Sequence, residues 1–203
     1  MNEMITNPKL PFVYFGRLAA SKGIALCIEA AYILYLRWGN HGHSLWIIGG
    51  NNDEIMKLKQ SEILGNKISD LELQGLLFWW GHLPHEFLPL ILRKCAFFCF
   101  TSQYEPGGRT ILEAMASGLP VIAAPQGFAE TLIEPGVNGL IIADYHPETW
   151  AEAMQGLLAN EEQRKAMGQA ARQTILNNYT MQAFMERHWE IYDQFNPEYN
   201  KRP

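Results

Sequence analysis

The chain lacks several things, and each shortage closes off a class of function. No apolar run approaches the roughly 20 residues that cross a bilayer as a helix. The densest, CAFFCF at residues 95–100, is short enough to be a buried strand. Cysteine is scarce: Cys27, Cys95 and Cys99 form no Cys-x-x-Cys pair and no even-numbered disulfide framework. They read as small core residues of a reducing compartment. Positive charge is outweighed, with 16 Lys and Arg against 21 Asp and Glu and a net charge of −5. That balance argues against non-specific nucleic-acid binding, so no nucleic-acid partner is expected. The first ten residues, MNEMITNPKL, hold no apolar core of the secretory kind. A cytoplasmic location is the expectation. No Gly-x-Gly-x-x-Gly follows a strand, which makes a nicotinamide dinucleotide an unsuitable ligand. There is no Asp-x-Asp pair. His82 and His85 stand three apart without further ligands at zinc spacing, so no metal site is expected.

What is present is a chain able to build a core. Of 203 residues, 48% are hydrophobic and 18% charged. Short apolar runs alternate with longer helical patterns. PFVYFGRL (11–18), SLWIIGG (44–50), LLFWWG (76–81), AFFCFTS (96–102), PVIAAP (120–125) and GLIIAD (139–144) read as strands. Between them, helices are expected at 23–38, 52–64, 84–95, 109–117 and 128–133. The first carries Ile24, Ile28, Ala31 and Tyr35 on one face. From His146 onward the pattern is helical only, at 147–158, 161–177 and 180–195.

The strands are apolar throughout rather than alternating, as in parallel sheets covered on both faces. Strand–helix alternation gives right-handed crossovers. The expected fold class is therefore α/β: a Rossmann-like, doubly wound parallel sheet in a three-layer α/β/α arrangement, with extra C-terminal helices. It forms one domain over residues 1–195, and residues 196–203 are expected to fray.

Ligands of such folds bind beyond the carboxyl ends of the strands. Those ends carry GRLAASKG, GGNND, GHLP, TSQYEPGG and APQGFAE. Arg17 and Lys22 follow Gly16 and the first strand. A planar bidentate donor and a point charge together suit a diphosphate. Two solvated loop cations would look the same. Gly49 and Gly50 end the second strand, where close approach of backbone to a ligand and a plain tight turn fit equally well. Gly107 and Gly108 precede RTILEAMASG, so free N–H groups at that helix start, through Arg109 and Thr110, offer an anion site. Glu113 lies about one turn inside the helix, too far in to cap it. Main-chain groups near His82 and Leu83 offer a pocket for a base. Trp79 and Trp80 read as sheet packing. Gln126, Gly127 and Glu130 stand at the border of the same edge, where capping is an equal reading.

FVYFGRLAASKG, SLWIIGG, LLFWWGHLP and the long stretch from Cys95 to Ile142 resemble the carboxyl-terminal domain of the family 4 retaining glycosyltransferases of the GT-B fold. The resemblance runs over roughly residues 10 to 145, and its most specific part is the pair Glu105 and Glu113 followed by AMASGLPVIA. It implies a domain that binds a nucleotide-diphosphate sugar as donor substrate, with no cofactor. By position it implies Arg17 and Lys22 on the diphosphate, Glu105 on the donor sugar and Glu113 on the ribose. Backbone amides near Gly108–Thr110 would meet the phosphate or the sugar. The implied enzyme moves a glycosyl group to an acceptor. An epimerase of the same fold, or a non-catalytic nucleotide-sugar-binding subunit, is the alternative.

The chain departs from the family pattern at three positions. Gly107 stands where a bulky apolar residue is usual, Arg109 where an apolar one is common, and Gln126 where a second glycine is common. The family also has an amino-terminal domain carrying the acceptor site. That domain is expected as a partner in cis or in trans, and any peripheral membrane association would run through it.

Overall fold

Strands that are apolar on both faces need a helical layer on each side, and that is how the chain folds. The computed structural model describes residues 10–39 and 43–195. The six strands are β1 Leu10–Phe15, β2 His43–Ile48, β3 Leu77–Gly81, β4 Phe98–Phe100, β5 Val121–Ala123 and β6 Gly139–Ile141. All pair in parallel, in the order β3-β2-β1-β4-β5-β6. The order reverses between β1 and β4, as in a doubly wound sheet. The tail expected to fray at 196–203, and residues 1–9 of the expected domain, lie outside the described residues.

Alternation along each strand splits the core in two. Phe12, Tyr14, Leu45, Ile47, Leu77 and Cys99 face one layer, formed by α1 (Ile24–Trp38), α3 (Gly65–Leu73) and α7 (Pro147–Ala159). Val13, Phe15, Ile48, Phe98, Phe100 and Val121 face the other, formed by α4 (Leu88–Leu92), α5 (Arg109–Ala116), α6 (Ala129–Leu132) and α8 (Glu161–Asn178). Each such side chain contributes about 1.5–3 kcal/mol when fully buried. On α1 the expected apolar face is the buried one: Ile24, Ile28 and Ala31 are buried and Tyr35 is half-buried. The helix α9 (Met181–Phe195) extends from α8 and leaves Met181, Phe184, Trp189 and Tyr192 exposed.

Three local readings need correction. The helix expected over 52–64 is two helices. The first is α2 (Asn52–Lys59), capped by Asn51, whose side chain and that of Glu54 each accept from the other's backbone N–H at 2.9 Å. The second is α3, seated by buried Leu64, Ile68 and Leu71. Gly65 permits the break, because a Cβ there would stand 2.6 Å from the carbonyl oxygen of Lys59. The helix expected over 84–95 shrinks to a 3-10 turn, His85–Phe87, followed by the five residues of α4. Cys95 is half-buried, whereas Cys27 and Cys99 are wholly buried. Burial pushes the Cys95 thiol up to about 12, so it stays protonated.

The turn between α7 and α8 is closed by a charge. Asn160 caps α8 by accepting from the Gln163 N–H at 3.0 Å. Arg164, buried in the next turn, donates back to the carbonyls of Leu157 at 2.7 Å and Leu158 at 3.2 Å. It thereby satisfies the carbonyl end of α7, which has no continuing helix to do so.

One contact positions the loop after β1. A 3-10 turn, Ala20–Lys22, ends at Gly23, which has φ +69. A Cβ on Gly23 would stand 1.9 Å from the carbonyl oxygen of Thr101. No L side chain fits, so Gly23→Ala should lose on the order of 3 kcal/mol in chemical denaturation. Gly156 is the control: it lies exposed in α7 with nothing near its would-be Cβ. Gly156→Ala should gain up to about 1 kcal/mol.

Candidate functional site

The carboxyl ends of β1, β2 and β3 are tied together through glycine backbone. Gly16 N–H donates to Ile48 O at 3.0 Å, and Gly49 N–H donates to Gly81 O at 2.7 Å. A Cβ on Gly49, which has φ +120, would stand 2.1 Å from Gly16 O. Close approach is thus the structural reason for Gly49.

The loop after β1 is clamped onto the loop after β4. Tyr14 Oη donates to Arg17 O at 2.7 Å, and Thr101 Oγ1 donates to Lys22 O at 3.2 Å. Burial raises the Tyr14 phenol well above its ordinary value, so it remains a donor. The N–H groups of Gln103 and Tyr104 both donate to Ser21 O, at 2.9 and 3.2 Å. These bonds deliver the Lys22 side chain to Glu105. Nζ lies 2.7 Å from Glu105 Oε2 and donates to Tyr104 O at 3.0 Å. The other carboxylate oxygen of Glu105 accepts from Gly107 N–H at 3.2 Å.

Both members of this pair are about four-fifths buried. Burial alone would raise the Glu105 carboxyl. The Lys22 hydrogen bond and charge, with the N–H groups of Gly107 and Gly108, outweigh burial and hold it below the usual carboxylate range.

The loop then enters α5 through Gly108, which has φ +93. Its would-be Cβ lies 3.5 Å from Glu105 Cγ, so the helix start sits against the ion pair. Phe128 N–H donates to Gly107 O at 2.7 Å, fixing the loop from the β5 side. Lys22, Glu105, Gly16, Thr101, Ser102 and Thr110 surround a hollow of about 40 Å³ at the crossing of β1 and β4. That crossing is where the strand order reverses, the place where such sheets hold ligands.

Not every expected residue joins this cluster. Arg17 is exposed and makes no side-chain hydrogen bond or ion pair with another described residue. Arg109, at the first turn of α5, is exposed in the same way. His82 is exposed and Leu83 packs beside α4. Glu113 stands further along α5, one-third exposed, with its Oε1 3.2 Å from Nε2 of His85. From sequence, His85 has only a place at the start of the helix expected over 84–95. Gly107 is open: its would-be Cβ meets only Phe128 Cε2, at 3.7 Å. Gln126 donates to Tyr145 Oη at 3.5 Å, and Glu130 is exposed. Among the described residues no three His, Cys, Asp or Glu side chains gather to hold a metal ion. Among them, too, no helix is long and apolar enough to cross a membrane.

Comparison with known proteins gives a consistent family. Residues 4–174 match the family model described as glycosyl transferases group 1. The chain is 28% identical over 171 residues to an alpha-D-kanosaminyltransferase of Streptomyces kanamyceticus, covering 84% of this chain and 42% of that protein. It is 32% identical over 136 residues to a mannosylfructose-phosphate synthase of Agrobacterium fabrum, covering 66% and 29% respectively. The chain thus spans less than half the length of these curated relatives. Among solved structures, Anabaena HepE in complex with UDP superposes with a TM-score of 0.77 at 23% identity, covering 91% of this chain and 49% of that one. The C-terminal domain of a group 1 glycosyl transferase, LpcC of Francisella tularensis, superposes at 0.71 with 21% identity, covering 85% and 87%. At these identities the superpositions establish the fold.

The Lys22–Glu105 geometry sets a pH expectation. A carboxyl held below its usual range stabilises the fold above that range, and the contribution is lost as pH falls through the lowered value. Glu105→Gln should therefore cost about 1–2 kcal/mol near pH 7. The difference from the parent should shrink as the pH falls through the lowered range of the Glu105 carboxyl. Melting temperatures of the two proteins across pH check this. A gap that stays constant down to the acid end would contradict the pairing.

Proposed function

This chain belongs to the glycosyl transferases of group 1, and from that premise we propose that it is the nucleotide-diphosphate-sugar-binding domain of a retaining glycosyltransferase. The observation that carries the reading is the convergence at the β1/β4 crossing. There Lys22, the Glu105 carboxylate and the N-terminus of α5 meet on one rim. A cation beside a helix start supports a diphosphate, and the adjacent carboxylate is an acceptor for sugar hydroxyls.

In this reading Lys22 and Arg17 take the diphosphate, with the backbone N–H groups of Arg109 and Thr110. Gly16 and Gly49 leave the backbone bare where the ligand passes. Glu105 holds the donor sugar and Glu113 the ribose. The main chain of His82 and Leu83 meets the base. The Arg109 side chain stands beside the phosphate path and adds a third positive group there. Transfer breaks the bond from the anomeric carbon to the diphosphate, and negative charge develops on the departing phosphate. Lys22, Arg17 and the α5 terminus are placed before the reaction to stabilise it. When the diphosphate recruits Lys22, Glu105 loses its partner and is released towards the sugar.

The acceptor site belongs, on this reading, to a second domain supplied in cis or in trans, and residues 10–195 act as one donor-binding unit. The exposed apolar side chains of α9, Met181, Phe184, Trp189 and Tyr192, offer that domain a surface. The isolated chain is then a binder without full turnover.

A thermal-shift panel of UDP, GDP and ADP selects the nucleotide through ligand-linked stabilisation. With that nucleotide, Lys22→Ala and Arg17→Ala should each weaken binding at least about tenfold, on the order of 1.4 kcal/mol. Titration calorimetry measures this. Two variants that bind like the parent would overturn the placement of the diphosphate.

A further inference from the structure

The contact between His85 and Glu113 joins two parts of the molecule that the sequence separates, and it has no role in the core. His85 opens the 3-10 turn after β3, and its side chain is 80% exposed. Glu113 projects from α5 with 33% of its side chain exposed. The imidazole Nε2 donates to Oε1 at 3.2 Å. The carboxylate makes no other hydrogen bond with a described residue, so Oε2 remains available. The pair is held by packing beneath it: Leu88 and Leu92 of α4 share a buried cluster with Ile111 and Met115 of α5.

We propose that His85 is a positioning residue for the nucleotide, holding the Glu113 carboxylate in the orientation that accepts the ribose hydroxyls. The proposal rests on the reading of Glu113 as the ribose-binding carboxylate. A glutamate on an exposed helix face otherwise samples several rotamers, and ordering it on binding costs entropy. A hydrogen bond formed in the free protein meets part of that cost in advance. His85 also lies three residues past His82 on the loop proposed to meet the base. One loop would then place the base directly and the ribose carboxylate through His85. Arg109 lies four residues before Glu113 on α5 and is too exposed and unpaired to lock it. A contact this exposed adds little to folding, so its measurable effect belongs to binding.

The test uses UDP and 2′,3′-dideoxy-UDP as probes, or the GDP or ADP pair if that base gives the larger thermal shift. His85→Ala should weaken the ribonucleotide about three- to tenfold and leave the dideoxy analogue unchanged. His85→Gln, whose amide can also donate, should recover most of the loss. Adding His85→Ala to Glu113→Ala should cause no further loss. Equal weakening of both nucleotides would show a merely structural contact and overturn the proposal, as would unchanged binding of both. The underlying reading fails separately. If the parent does not distinguish the ribonucleotide from its dideoxy analogue, and Glu113→Ala binds like the parent, then Glu113 is not the ribose carboxylate. In that case the role of His85 falls with it.

Discussion

The meeting of the loops after β1 and β4 depends on the absence of a side chain at Gly23. The backbone there passes so close to the Thr101 carbonyl that even a methyl group would force the loops apart. Because they touch, Thr101 and Tyr14 can hold the turn and Ser21 can accept from Gln103 and Tyr104. Lys22 then reaches a glutamate 83 residues away in the chain. A lysine and a glutamate each lose much of their hydration at this depth, and only their mutual contact and the surrounding amides offset that loss. The steric fit at Gly23 and the electrostatics at Glu105 are therefore one arrangement seen at two distances.

The same arrangement explains why the ligand edge is rigid on one side and open on the other. Gly16, Gly49 and Gly81 knit the first three loops by main-chain hydrogen bonds that leave little freedom. The entry to α5 is pinned by Phe128 and by Glu105. Arg17, Arg109 and His82, by contrast, extend into solvent. A group 1 glycosyl transferase domain built this way presents fixed amides and one paired lysine, surrounded by long side chains exposed to solvent.

The layered fold was legible because its strands are buried on both faces, which leaves unbroken apolar runs such as FFCF and WII. The glutamate pair and its glycine turn were legible as a motif. The break between α2 and α3 was not, since Gly65 marks it by a close approach to Lys59 that only the folded chain reveals. The α4 segment was over-extended because PHEFLPLILRKC is apolar enough for a longer helix, while Pro89, which has no N–H to bond back to the preceding turn, separates α4 from the 3-10 turn His85–Phe87. The partnering of Lys22 with Glu105 and of His85 with Glu113 was hidden for a common reason. Each joins loops after different strands, and linear spacing carries no record of which loops become neighbours. Two carboxylates were expected to bracket one ligand; in the folded chain each also has a partner within the protein, Lys22 for Glu105 and His85 for Glu113.

The position of β1 at the centre of the sheet bears on how the protein is made. β1 pairs on one side with β2, which emerges soon after it, and on the other with β4, which begins at Phe98. While the ribosome is still short of β4, the half-sheet β3-β2-β1 presents the unpaired flank of β1, with Val13 and Phe15 uncovered on the later helical face. Parallel pairing across such a distance is slow and leaves sticky intermediates. The hollow beside Lys22, lined by Thr101, Ser102, Glu105 and Thr110, comes into being only when the second half docks.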